Sequence, residues 1–207
     1  MKNCEKIKVL GIGDYGISVI EEISKIHTEN IEYLNLNTDW AYFYKHKNSV
    51  LKLGPKITRG LGAGACFSVG KKAAEESSKD IRENIKNSEL VIIVAGLGGG
   101  TGSGASPVVA SIAKELNIPV IAFVAIPFEF ENKIRCKNSE ESLKELIGVI
   151  DSLRLISIEK TKDLCNNDIV VRNLYNELNS QMLSSVLKII ELLRTKSIKD
   201  ILKIYNK

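Results

Sequence analysis

Short apolar runs without strict alternation recur along the chain at 6–12, 31–37, 49–53, 89–95, 119–126 and 152–158. Runs of this length, apolar on both faces, are the pattern of strands buried on both sides of a sheet. Between them lie segments with helical periodicity at 16–27, 68–86, 105–116 and 139–150. From 172 to 194 apolar residues recur at helical spacing, with Leu174, Leu178, Met182, Ser185, Ile189 and Leu192 forming a stripe. That stripe reads as core packing rather than a cofactor box. A short amphipathic segment follows at 197–205. The alternation predicts an α/β fold: a Rossmann-like, mostly parallel sheet with helices on both faces, then a long helix. Residues 1–171 are expected to form the α/β domain, which carries the glycine-rich stretches described next. Residues 172–207 are expected to pack on it as the long helix and its tail.

Three glycine-rich stretches follow strands. Residues 11–16 read Gly-Ile-Gly-Asp-Tyr-Gly, 60–64 read Gly-Leu-Gly-Ala-Gly, and 96–104 read Gly-Leu-Gly-Gly-Gly-Thr-Gly-Ser-Gly. In such sheets ligands bind at the carboxyl ends of the strands, so the three loops are expected to converge there. The last loop removes nearly every side chain before a helix. Its backbone N–H groups can then turn together toward an anion, aided by the helix N-terminus. The hydroxyls of Thr101 and Ser103 are candidate further donors. No Lys-Ser/Thr pair follows, so this is not a Walker loop. The first stretch fits GxGxxG, a weak signal that suits NAD as well as GTP.

Composition narrows the picture. The chain has 207 residues, 44% of them hydrophobic, and a net charge of +4 from 29 basic and 25 acidic residues. The charges alternate in sign along helical segments, as on a solvated surface, and no arginine-rich or aromatic-interleaved tract points to nucleic acid. Cys4, Cys66, Cys136 and Cys165 form no paired motif, and with only His27 and His46 a zinc site has little support. Reduced thiols, no signal peptide and no span long enough for a bilayer make a cytoplasmic protein the expectation.

The glycine loop at 98–104 closely resembles the phosphate-wrapping loop of the tubulin/FtsZ superfamily. Three neighbouring words favour the FtsZ branch: Thr-Arg-Gly-Leu-Gly-Ala-Gly-Ala at 58–65, Ala-Ala-Glu-Glu-Ser at 73–77, and Pro-Phe-Glu-Phe-Glu at 127–131. The resemblance runs from about residue 7 to about residue 193. It implies binding of GTP or GDP, with Mg2+ as the candidate companion of the phosphates. Carried over residue by residue, it places Gly98, Gly99, Gly100, Thr101, Gly102 and Ser103 around the phosphates. Gly11, Gly13, Asp14, Tyr15 and Ser18 form the first loop, and Gly62, Ala63, Gly64 and Ala65 the loop beside the γ-phosphate. Asn37 and Asp39 approach phosphate and metal, and as bare residues Thr38 and Asp39 also read as a helix N-cap. Pro127 belongs to the word that precedes the ribose pair, Glu131 and Arg135, which otherwise reads as a surface ion pair. Tyr175 and Asn179 fall on the positions that stack on and read the base. No residue is assigned as catalytic or as a metal ligand.

The chain also departs from the family. Asp14, Tyr15 and Ser18 stand where it is glycine-rich and then carries asparagine, which implies weaker nucleotide affinity. Cys66 and Phe67 replace Asn-Pro. The word Ile-Ser-Ile-Glu at 156–159 lacks the family's asparagine. Where the family has Asn-x-Asp-x-x-Asp to position the attacking water in a neighbouring subunit, this chain has Asp200, with Leu202 and Tyr205 at the carboxylate positions. No counterpart of the family's C-terminal domain is expected. The leading expectation is a guanine-nucleotide-binding protein with weak or absent intrinsic GTPase activity. Its nucleotide face would contact a full-length FtsZ or a second copy and modulate assembly. The alternatives are an active self-assembling GTPase and, on fold analogy alone, an NAD-dependent enzyme.

Overall fold

A computed structural model of the chain describes residues 6–26, 30–45, 47–128, 130–157 and 171–205. His27, His46, Cys4, Cys165, Glu129, and Ile158 and Glu159 of the fourth word lie outside the described residues. Six strands form one parallel sheet: β1 (Ile7–Ile12), β2 (Ile31–Asn37), β3 (Ser49–Lys52), β4 (Leu90–Gly96), β5 (Val120–Ala125) and β6 (Ser152–Ile156). Their spatial order is β3-β2-β1-β4-β5-β6, so chain direction across the sheet reverses between β1 and β4. That switch point opens a crevice at the strand ends.

Residue parity along the strands builds two cores. Leu10, Ile12, Val91, Ile93, Ala122 and Val124 face one side. There they meet α2 (Phe67–Glu76), α3 (Ser78–Ile85), α4 (Gly100–Glu115) and α5 (Lys133–Ile147). Ile7, Val9, Ile92, Val94, Ile121 and Phe123 face the other. They meet α1 (Gly13–Ile23), α6 (Val171–Leu193) and α7 (Ile198–Tyr205). On α6 Met182 and Val186 are fully buried, while Ser185 is half-buried, one position off the expected stripe.

Three helices start earlier than the apolar pattern predicts, and each start bears on the crevice. Helix α1 begins at Gly13 and α4 at Gly100, so both glycine loops are partly first turns of helices. Helix α5 begins at Lys133 because the Asn132 side chain accepts the Ile134 N–H at 2.8 Å. The single helix expected at 68–86 divides at Ser77, whose hydroxyl accepts the Gly54 N–H at 2.9 Å.

Pro107 lies inside α4 and cannot donate to the carbonyl of Ser103, four residues back. Ser142 of α5 supplies the missing donor, its hydroxyl lying 2.8 Å from that oxygen. Helices α2 and α4 pack backbone to backbone: a Cβ on Gly70 would fall 2.0 Å from the Gly100 carbonyl oxygen.

Candidate functional site

The ends of β1, β4 and β5 floor a cavity of about 410 Å3. One wall is the N-terminus of α4. Gly99, Gly100, Thr101 and Gly102 line it, and as the first turn of a 16-residue helix they present backbone N–H groups without intrahelical partners. A Cβ added to Gly99 would meet nothing within 4 Å, so this residue faces open space. Gly100 differs: a Cβ there would lie 2.8 Å from the Ala63 Cβ and from the Cys66 N. The loop also secures itself. Thr101 Oγ1 lies 2.6 Å from Thr38 Oγ1, and the buried Ser103 hydroxyl accepts the Gly98 N–H at 2.7 Å.

Gly62, Ala63, Gly64 and Ala65 line a second wall. Gly62, Gly64 and Ala65 have φ of 81°, 57° and 55°, the left-handed turns that bend this loop around the mouth. Gly13, Asp14, Tyr15, Asn37 and Asp39 form the third. Asn37 Nδ2 donates to the Asp14 carboxylate at 2.7 Å. Its Oδ1 accepts from the N–H groups of Thr38 and Asp39 at 2.8 and 3.2 Å. Asp39 in turn caps the short 3-10 helix Ala41–Lys45 through the Ala41 N–H at 3.0 Å. The capping role read from the sequence is therefore present.

The far end of the cavity is more apolar. Ala125, Ile126, Pro127, Phe128 and Leu178 line it, with Tyr175 at its edge. Phe128 stacks on Phe130 with centroids 4.8 Å apart and meets Tyr175 edge-on at 5.3 Å. Glu131 is fixed here from three sides. One carboxylate oxygen accepts the Phe128 N–H at 3.0 Å and lies 3.5 Å from the Tyr175 hydroxyl. The other pairs with Arg135 Nε at 2.5 Å. Burial, then the Glu131 charge, pushes the Tyr175 phenol above its ordinary range, so its proton stays available for donation.

Seventeen of the residues singled out from the sequence therefore line one cavity. Five do not. Gly11 lies inside β1 beneath α1, where a Cβ would fall 2.7 Å from Ile20 Cδ1. Ser18 is exposed and its hydroxyl lies 2.6 Å from that of Tyr42. Gly98 packs on Arg135, and Ser103 is buried within the loop. Asn179 is exposed on α6, one turn beyond Tyr175. The cavity also has walls that the sequence reading missed: Ile12, Leu61, Gly96, Leu97, Ala125, Ile126, Phe128 and Leu178. Ile12, Gly96 and Ala125 are the last residues of their strands, and the strand-end rule was the signal that could have found them. Among the described residues, three carboxylates, Asp14, Asp39 and Glu131, share the cavity with one guanidinium, Arg135, and no lysine. Among the described residues no group of three or more His, Cys, Asp or Glu could hold a metal by itself. No helix among them is long and apolar enough to cross a membrane.

Comparison with known proteins gives a consistent picture. The profile of the Tubulin/FtsZ family, GTPase domain, matches residues 6–166. The chain is 41% identical over 189 residues to the cell division protein FtsZ of Coxiella burnetii, covering 91% of this chain and 49% of that protein. It is 44% identical over 155 residues to the FtsZ of Mycoplasmopsis pulmonis, covering 74% and 40%. The chain thus spans about half the length of the curated relatives it matches. An empty FtsZ dimer from M. jannaschii superposes with a TM-score of 0.90 at 32% identity, covering 98% of this chain and 60% of that one. A GTPγS-bound CetZ2 protofilament from Haloferax volcanii superposes at 0.82 with 19% identity over 96% and 62%, a likeness of fold.

Proposed function

The chain belongs to the tubulin/FtsZ family, and from that premise we propose that it binds a guanine nucleotide, GTP or GDP, in the cavity at the ends of β1, β4 and β5. The observation that carries this reading is the α4 N-terminus, stripped to glycine and turned into the cavity. The phosphates would lie against Gly99–Gly102, where backbone donors and helix dipole favour anions. The ribose would meet Glu131 and Arg135, and the base would meet Tyr175, with Asn179 one turn away. The carboxylate excess suits a divalent cation beside the phosphates: Asp14 and Asp39 are hard oxygen donors of the type that would hold Mg2+. Bound there, Mg2+ would neutralise charge on the polyphosphate.

Hydrolysis by the chain alone is expected to be weak or absent. Leu202 and Tyr205 occupy the positions where the family carries water-positioning carboxylates, and both pack against the apolar core between the sheet, α1 and α6. Arg154 also covers the Tyr205 ring at 4.6 Å. The nucleotide face would instead serve as a contact for a full-length FtsZ or a second copy, modulating assembly. Thermal denaturation against GTP, GDP, ATP and NAD tests the ligand. Guanine nucleotides should stabilise the protein, by about 2.7 kcal/mol at one hundred times the dissociation constant. Stabilisation by NAD alone, or by no nucleotide, would remove this reading.

A further inference from the structure

The first turn of α1 carries one bulky side chain between Gly13 and Gly16, that of Tyr15. Its place is built in. The ring lies over the bare Cα of Gly96, where an added Cβ would fall 2.9 Å from Tyr15 Cβ and 3.0 Å from its Cγ. The first glycine of the long loop therefore makes room for this ring. Tyr15 lines the cavity on the wall it shares with Gly13, Asp14, Asn37 and Asp39, and packs on the apolar cluster that also contains Phe128 and Leu178. Its hydroxyl is buried and has no hydrogen-bond partner among the described residues. Three other buried side-chain atoms share that condition, on Asn35, Trp40 and Asn48, and none of those residues lines the cavity. Burial pushes the phenol well above its ordinary range, so the group remains a donor. An unpaired buried donor disfavours its own placement, and Tyr15 is the residue with such a group that lines the cavity.

We infer that Tyr15 is a ligand-contacting residue of the nucleotide site: bound nucleoside draws its hydroxyl into the cavity and supplies the acceptor that it lacks among the described residues. The inference rests on the guanine-nucleotide reading above. A purely structural tyrosine would affect stability alone, whereas this one couples stability and affinity in opposite directions.

The test is Tyr15→Phe in the full chain, with GDP as the probe. Removing the unpaired hydroxyl should raise the melting temperature of the free protein by about 2–4 °C. It should weaken GDP binding about tenfold. In protein labelled with fluorotyrosine, the fluorine resonance missing from Y15F should shift when GDP is added to the wild type. It should not shift with inorganic tripolyphosphate. Equal GDP affinity in the two proteins overturns the inference and leaves the nucleotide reading standing. A shift produced equally by tripolyphosphate puts the acceptor on the phosphates and overturns the nucleoside assignment. Failure of the wild type to bind GDP removes the proposed function and this inference with it.

Discussion

Glycines that look equivalent in the sequence do different jobs, and space around the absent Cβ separates them. Gly99 has φ of −79° and open space where its side chain would be, so the fold tolerates a side chain there. Gly99→Val should leave the melting temperature of the free protein nearly unchanged. It should abolish nucleotide-dependent stabilisation, because a branched side chain keeps phosphate from the helix N-terminus. Gly100→Val should instead drive into Ala63 and Cys66 and destabilise the fold by about 1–3 kcal/mol. Thermal melts of both variants with and without GDP check the pair. Gly99→Val that binds GDP like the wild type would refute the phosphate cradle. The sequence offered no way to rank these two residues, because the ranking depends on how closely Ala63 and Cys66, in the loop before α2, approach the start of α4.

At the scale of elements, strand positions were legible because burial on both faces leaves a continuous apolar run, as in Val91–Val94 and Val120–Val124. Helix starts were less legible. The first turns of α1 and α4 are made of residues with no apolar periodicity, since their inner face approaches backbone rather than side chains. Gly16 and Gly102 would bring a Cβ within 2.1 Å of the Val94 oxygen and 2.3 Å of the Gly96 oxygen. The candidate site was legible where motif words are contiguous and illegible where tertiary packing decides, as for Ser103 turned into its own loop and Phe128 turned into the cavity. The α4–α5 contact shows the same limit, since nothing local marks Ser142 as the partner of a carbonyl freed by Pro107. Ser142→Ala should leave that buried oxygen without its donor and cost about 1–3 kcal/mol. In a Pro107→Ala background the backbone N–H returns and the same substitution should cost much less. Denaturant unfolding of the four proteins in the cycle measures the coupling. Equal costs in both backgrounds would show that Ser142 does not serve Ser103.

At the scale of the molecule the cavity end and the α7 end depart from the family in different degrees. The cavity keeps a glycine-built helix N-terminus and a fixed Glu131–Arg135 pair, while α7 packs Leu202 and Tyr205 against the core. Phosphoryl transfer to water depends on groups that position the nucleophile, and neither side chain can do this. The protein alone is therefore expected to turn over GTP far more slowly than a complete FtsZ, with no rise in specific activity as its concentration increases. A full-length FtsZ carries the carboxylates that this chain lacks at those positions. Docked on the open nucleotide face, it would supply them to GTP held here, and phosphate release should rise on mixing. The α7 end of this chain could not return the favour to a further subunit, so the partner's filaments should shorten as the ratio of this chain increases. Phosphate release and sedimentation, each measured on the separate proteins and on the mixture, distinguish the cases. Concentration-dependent hydrolysis and pelleting by this chain alone would instead establish a self-assembling GTPase, with its water positioned by groups other than those of α7.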